Sequence, residues 1–322
     1  MGINKKLKYA LVLSGGGARG LVHVGVLCAL EEAGYPPPSL IAGTSMGAII
    51  GGLYASGMKP QGIRRYVLEE LDIPGFMESP LFRLEGPLGK LFQTGQIIGN
   101  IATRPGLDSG GKVLAILEKL TGDKKIEDCG IPFICNAVDL GSGREIIFRS
   151  GSLAAAIRAS MSFPVFFEPW IEGDLCLVDG GIADNMPVKS AQEAGRALGI
   201  RRILAVDTRR WQDMPPDTFK NGFSIILRCF EAMVHVSETA AARKKRRDRS
   251  PPVLVLCASD KTPVTGFSRK RQLLKLGQAA VRTSGAELGI FFGTGFRAAA
   301  ARFRRPFDRC GIQSDTYYTG EA

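Results

Sequence analysis

Apolar and polar positions alternate along this chain at two spacings. Short apolar runs bounded by Gly, Pro or charged residues occur at 8–14, 131–140, 175–178, 202–207 and 253–256, and another enters at Leu40. Runs of this length, rich in Val, Ile and Leu, predict buried strands. Segments with helical spacing lie between them, at 21–34, 48–55, 112–120, 153–160, 188–198, 224–242 and 268–283. Pro36-Pro37-Pro38 follows the first of these, and Pro251-Pro252 stops the long one. Residues 144–149 predict a partner strand for 131–140 across Gly141-Ser142-Gly143. Strands alternating with helices predict an α/β fold in three layers, with a mostly parallel central sheet covered by helices on both faces.

The stretch 55–111 breaks this rhythm. Pro74, Gly75, Pro80, Gly86, Pro87, Gly89, Pro105 and Gly106 punctuate it, with Phe76, Met77, Phe82, Leu88 and Phe92 between them. Two readings stand: a surface excursion with a small core of its own, or a mobile cap carrying apolar side chains over an acyl-binding site. The cap-like insertion spans about 73–111 within a domain of 8–285. Residues 286–322 form a tail rich in Gly, Ala and Arg, expected to be loosely held.

Composition narrows the class. A chain of 322 residues with 45% hydrophobic and 23% charged residues is globular and can bury a full core. Its seven cysteines are scattered singly, with no C-x-x-C pair, which predicts buried thiols in a reducing compartment and neither a disulfide framework nor a zinc site. The basic start leads only into the short apolar run 9–13, and no apolar stretch reaches the roughly 20 residues of a spanning helix, so a soluble, cytoplasmic protein is expected. The net charge of +11 predicts attraction to anionic surfaces. No aromatic interleaving or zinc spacing accompanies the basic residues, so nucleic acid is not expected as a partner.

Three short motifs carry candidate chemistry. Gly43-Thr44-Ser45-Met46-Gly47 is a G-x-S-x-G sequence between an apolar run and a small-residue helix. That context predicts a strained strand-turn-helix elbow that exposes the Ser45 hydroxyl at a helix N-terminus. Gly15-Gly16-Gly17-Ala18-Arg19-Gly20 follows the first strand and fits two uses. One is the G-x-G-x-x-G dinucleotide fingerprint, which wants an acidic residue about 20 positions on. No acidic residue occurs between Glu32 and Glu69. The other is an oxyanion hole of backbone N–H groups at a helix start. Asp179-Gly180-Gly181 ends the strand 175–178, where a carboxylate can point into the same cleft as Ser45, or simply bond its own turn.

A serine nucleophile needs a base, and the only histidines are His23 and His235. Neither follows an acidic turn residue in the order Ser-Asp-His, and each fits a packed position inside a helix. A carboxylate is then the remaining proton acceptor. Its usual pKa near 3.9 makes it a poor base, but a partly desolvated cleft would raise that value.

Together the three motifs resemble the patatin-like phospholipase family, in its compact bacterial form. The resemblance runs from about Tyr9 to about Thr283 and takes in His23-Val24-Gly25-Val26-Leu27, the stretch from Arg158 to Pro164, and Asp184-Asn185-Met186-Pro187-Val188. It implies an α/β fold and metal-free hydrolysis of acyl esters of phospholipids or other lipids, without a cofactor. By position it makes Ser45 the nucleophile and Asp179 the base. It assigns Gly15, Gly16, Gly17, Ala18, Arg19 and Gly20 to the oxyanion-hole loop, with Gly43, Thr44, Met46 and Gly47 shaping the elbow and Gly180 and Gly181 the base turn. The rival expectations are a dinucleotide-binding oxidoreductase and a catalytically idle lipid-binding protein of the same fold. A lipid substrate implies reversible peripheral association with the inner membrane face. Arg243 to Arg249, Arg297, Arg302, Arg304, Arg305 and Arg309 are the candidate contacts, with Phe76, Met77, Phe82 and Phe92 as candidate insertions beside the cleft.

Overall fold

The computed structural model describes residues 3–72, 75, 105–208, 214–218, 222–243 and 251–294. Most of the cap-like insertion, the basic residues 244–249 and the tail from 295 lie outside the described residues, and with them Phe76, Met77, Phe82, Leu88, Phe92 and the tail arginines.

The predicted strands form one sheet. They are β1 (Tyr9–Leu13), β2 (Leu40–Gly43), β4 (Phe133–Asp139), β5 (Glu145–Phe148), β8 (Leu175–Asp179), β9 (Arg202–Asp207) and β10 (Val253–Cys257). Three short strands went unpredicted: β3 (Gly106–Asp108), β6 (Val165–Phe167) and β7 (Trp170–Glu172). At three residues each, they are too short to show an alternation. The sheet runs β10-β9-β1-β2-β4-β8-β7, with β5 also paired to β4, while β3 and β6 make a separate parallel pair. The first five strands of that order are mutually parallel. β5, β7 and β8 supply the antiparallel pairings.

Strand periodicity divides the core into two layers. Tyr9, Leu11, Leu13, Ile41, Leu204, Val206, Leu254 and Leu256 point to one face. There they meet α1 (Val22–Glu32), α2 (Met46–Ala55), α5 (Leu153–Ser160), α8 (Lys270–Thr283) and α9 (Gly285–Phe292). Between α2 and α5 the chain also forms α3 (Pro60–Arg65) and α4 (Gly111–Thr121). Ala10, Val12, Leu40, Ala42, Ile203, Ala205 and Val253 point to the other face, covered by α6 (Val188–Leu198). The remaining long helix is α7 (Gly222–Arg243).

The expectation of a loose tail from 286 is corrected at its start. Residues 285–292 form α9, and Leu288, Phe291 and Phe292 are fully buried. Tyr9 meets Phe291 and Phe292 edge-on at 5.8 and 5.1 Å, and Tyr35 stacks on Phe292 at 4.3 Å. Three large apolar side chains anchor this segment whatever the composition of the residues after it. The cysteines also depart from expectation at one place. Cys28, Cys129, Cys135, Cys176 and Cys229 are free thiols, whereas Cys257 is disulfide-bonded.

The crossing of α1 over α8 depends on two glycines. A Cβ at Gly25 would lie 1.9 Å from the Leu274 carbonyl oxygen, and one at Gly277 would lie 2.0 Å from that of Val22. Neither contact can open without separating two helix backbones. Gly277→Ala should therefore lower stability by about 1–3 kcal/mol, read as a shifted urea midpoint with an unchanged m-value. An unshifted midpoint would show that the helices part freely.

Candidate active site

Strand pairing brings two chain ends together. Along one edge of β4, Gly43 at the end of β2 pairs with Cys135, and Asp179 at the end of β8 pairs with Ala137. The opposite edge of the same residues carries β5, since Cys135 also pairs with Phe148 and Ala137 with Ile146. β2 runs parallel to β4 and β8 antiparallel, so their carboxyl ends face each other across Asn136.

The elbow forms where β2 must stop. Ser45 has φ 53° and ψ −120°, a region that L-residues rarely occupy. Surrounding contacts impose it. The Ser45 N–H donates to Ser160 Oγ at 3.0 Å, and the Thr44 N–H donates to the Leu13 carbonyl at 3.1 Å. A Cβ at Gly47 would lie 2.1 Å from the Leu13 carbonyl oxygen, so only glycine lets α2 start this close to β1. Gly43 meets the Gly47 backbone, and Met46 packs against Gly20 of the glycine turn.

Asp179 is buried, and its Oδ1 accepts the Gly181 N–H at 2.7 Å. The Ser45 side chain is close enough to lower the carboxyl pKa, yet Oδ2 has no partner at hydrogen-bond geometry. Catalytic hydrogen bonds are commonly long in unliganded sites. Burial outweighs both donors and pushes the Asp179 pKa up to about 6. The Asp179 N–H donates to the Ser162 carbonyl at 2.9 Å. Gly180 lies against Asn136, where a Cβ would come within 2.4 Å of its backbone oxygen.

The glycine turn faces the elbow: a Cβ at Gly15 would lie 3.2 Å from that of Ser45. Its amides are not equivalent. The Gly15 N–H donates to the Asn185 carbonyl at 3.1 Å, that of Ala18 to Val264 at 2.7 Å, and that of Arg19 to Gly16 at 3.1 Å. The N–H groups of Gly16 and Gly17 make no hydrogen bond among the described residues. Two free amides at the start of a helical turn suit an anionic oxygen. The expectation that Ala18 donates to an oxyanion is therefore corrected, because its N–H already holds the loop to Val264. Arg19 turns away and pairs through Nη2 with Glu231 Oε1 at 2.8 Å.

His23 does not join the pair. His23 is buried, with Nε2 2.8 Å from the Ser14 carbonyl oxygen, and burial lowers its pKa to about 4. His235 lies on α7. Among the described residues no cluster of three His, Cys, Asp or Glu could hold a metal ion.

Sequence reasoning missed the supporting polar residues. Asn136 Oδ1 accepts from Thr44 Oγ1 at 2.7 Å, while Nδ2 donates to Gly180 O at 3.3 Å, Asp184 O at 2.8 Å and Glu145 Oε1 at 2.9 Å. Thr208 Oγ1 donates to the Gly15 carbonyl at 2.8 Å. Arg158, buried, donates to Ser162 Oγ, to Ser109 O at 2.8 Å and to Glu168 O at 3.0 Å, bracing the segment that holds Asp179. One signal was available: Asn136 interrupts an otherwise apolar central strand, and a buried amide must be satisfied.

A family model described as patatin-like phospholipase matches residues 11–191, just over half of the chain. Patatin-like phospholipase domain-containing protein 6 of Mus musculus is 31% identical over 218 residues, covering 67% of this chain and 14% of that protein. Lysophospholipase NTE1 of Saccharomyces cerevisiae is 34% identical over 222 residues, covering 67% of this chain and 12% of that protein. This chain thus spans about a seventh or less of these relatives' length. Human GIVD cytosolic phospholipase A2 aligns over 88% of this chain and 59% of its own, at 12% identity and a TM-score of 0.47.

The Asp179 environment has a thermodynamic consequence. Its folded pKa of about 6 lies above the ordinary value of 3.8, so its contribution to stability is fully present below pH 3.8 and is lost as pH rises through 6. The loss amounts to up to about 3 kcal/mol. Asp179→Asn removes the buried charge but keeps an acceptor for Gly181. The variant's stability relative to wild type should therefore rise by up to about 3 kcal/mol between pH 4 and pH 8 in urea titrations. A pH-independent difference would mean that the carboxylate is not desolvated.

Proposed function

The chain belongs to the patatin-like phospholipase family, and we propose that it hydrolyses acyl esters of phospholipids or lysophospholipids through a Ser45–Asp179 dyad. One observation carries the reading. A strained serine at a strand end sits beside a buried carboxylate whose pKa is raised to about 6, and the glycine turn that carries two unbonded amides lies against that serine at Gly15.

As Ser45 Oγ attacks the ester carbonyl carbon, Asp179 accepts its proton. The Gly16 and Gly17 N–H groups receive the developing oxyanion, each contributing roughly 3 kcal/mol where such donors have been measured. Collapse of the tetrahedral intermediate breaks the bond to the alcohol, which leaves with the proton held by Asp179. Water, deprotonated by the same carboxylate, then attacks the acyl-Ser45 ester, and the fatty acid is released as Asp179 returns the proton to Ser45 Oγ. No cofactor enters this scheme. The lysophospholipase name of the yeast relative supports a lipid ester as substrate.

The oxidoreductase reading lacks its carboxylate, because β2 ends in Gly43 and the Ser45 elbow where a ribose-binding acid would stand. The idle lipid-binding reading shares the fold and parts from ours in reactivity alone. Among the described residues no helix is long and apolar enough to cross a membrane. With a charge of +11, reversible association with an anionic bilayer, at the cytoplasmic face, is the reading that fits a lipid substrate.

A fluorophosphonate probe should label Ser45, identified by mass spectrometry of the modified peptide, and Ser45→Ala should abolish labelling. Both Ser45→Ala and Asp179→Asn should lose at least about 10³-fold in kcat/KM on a short-chain aryl ester. An intact Ser45 that resists the probe would leave the idle reading standing. Because the base must be ionised, kcat/KM should rise with pH through an apparent pKa near 6 and level off above it. A profile that is flat from pH 5 to 8 would remove Asp179 from the base role.

A further inference from the structure

Helix α7 is turned inside out for a surface helix. Ile225, Ile226, Cys229, Met233 and Val236 are all exposed. At 100° per residue these five positions fall within an arc of about 100°, and no charged residue between 225 and 236 shares it. Arg228, Phe230 and Glu231 face the protein instead. Glu231 takes Arg19 and Arg228 at 2.8 Å each, and Phe230 meets Phe163 with ring centroids 5.7 Å apart. The helix also packs against the turn Gly180–Ile182 that follows Asp179. Its inner face thus touches the glycine turn, the segment holding Asp179 and the turn after it.

We propose that α7 is the docking helix of this enzyme, and that its occupant is an anionic lipid bilayer on which the stripe from Ile225 to Val236 lies. Charge supports this occupant over another. The helix ends at Arg243, and the sequence continues Lys244-Lys245-Arg246-Arg247-Asp248-Arg249, six cations in seven residues counted from Arg243. An apolar stripe flowing into a basic cluster is the pattern of a helix lying in a membrane interface. Docking on this face would set the bilayer against a helix whose inner side touches the glycine turn and the turn after Asp179. The substrate in this proposal rests on the ester-hydrolase reading, but the surface does not.

The test uses the full chain and the paired substitution Met233→Asp with Val236→Asp, both at exposed positions. Wild type should co-sediment with vesicles of equal parts phosphatidylglycerol and phosphatidylcholine at low salt. It should bind pure phosphatidylcholine vesicles weakly, and should release from the anionic ones as salt screens the charge. The paired variant should lose binding to anionic vesicles by about tenfold or more, and turnover of vesicle-borne substrate with it. Its fluorophosphonate labelling, aryl-ester turnover and urea midpoint should match wild type. Unchanged vesicle binding overturns the proposal. So does a wild-type dimer that the variant converts to monomer, because the stripe is then a self-interface. So does a lowered urea midpoint, because the stripe is then covered by the chain itself. Failure of wild type to react with the probe would sink the hydrolase reading and leave the vesicle result to judge the helix.

Discussion

The carboxyl ends of β2 and β8 face each other along one edge of β4, and the site exists because neither strand can continue past the other. β2 must turn out of the sheet at Gly43, and β8 must turn out at Asp179. What fills the gap is the Asn136 amide, which accepts from the Thr44 side chain and donates to Gly180 O. One buried residue therefore ties the elbow to the base turn by both ends of its amide. In a low-dielectric interior such bonds are strong, and leaving any member unpaired costs about 1–3 kcal/mol. The separation of Ser45 from Asp179 is thus set by sheet register and one side chain, not by loops.

That constraint is what lets a carboxylate, in the proposed dyad, take the place where a histidine is more common. Asp179 sits at the end of a strand with only the Gly181 amide firmly bonded to it, and burial raises its pKa to about 6. A fuller shell of donors would hold the charge better and weaken Asp179 in the base role proposed for it. His23, by contrast, is buried behind the Ser14 carbonyl with its pKa lowered to about 4. Buried charge, strained serine and free amides all oppose folding. Two apolar layers on the sheet, together with the Tyr9, Tyr35, Phe291 and Phe292 cluster, offset them.

Much of this was legible in the chain. Helices 153–160 and 188–198 and the strand 202–207 stand where periodicity put them, since each is long enough to show its period. The motifs located Ser45, Asp179 and the glycine turn, but not which amides of that turn are free. The difference between Ala18, tied to Val264, and Gly16 and Gly17 arises from a contact some 250 residues away in sequence, which no local pattern encodes. Asn136 and Arg158 were missed for a related reason: a single polar residue in an apolar run shows that partners exist, not which ones. Helix α9 is not legible from composition, because Leu288, Phe291 and Phe292 stand at the head of a tail rich in arginine.

The orientation of α7 is the least expected feature, and the contacts that oppose its reversal lie on its inner face. Rolled by half a turn, the helix would bury Ile226, Met233 and Val236, which the hydrophobic effect favours by roughly 1.5–3 kcal/mol per large side chain. Rolling would also pull Glu231 away from Arg19, whose side chain is only 13% exposed, and leave that guanidinium without its carboxylate. An exposed ion pair is worth about 1 kcal/mol or less, and Glu231 is 35% exposed, so the pair alone cannot hold the helix. Stranding Arg19, more deeply buried than its partner, costs more than the pair itself contributes. The Arg19 backbone is held in turn, because its N–H is bonded to Gly16 and its neighbour Ala18 is bonded to Val264. Through Arg19 and Glu231, the glycine turn beside Ser45 is thus one of the inner-face contacts that oppose the roll.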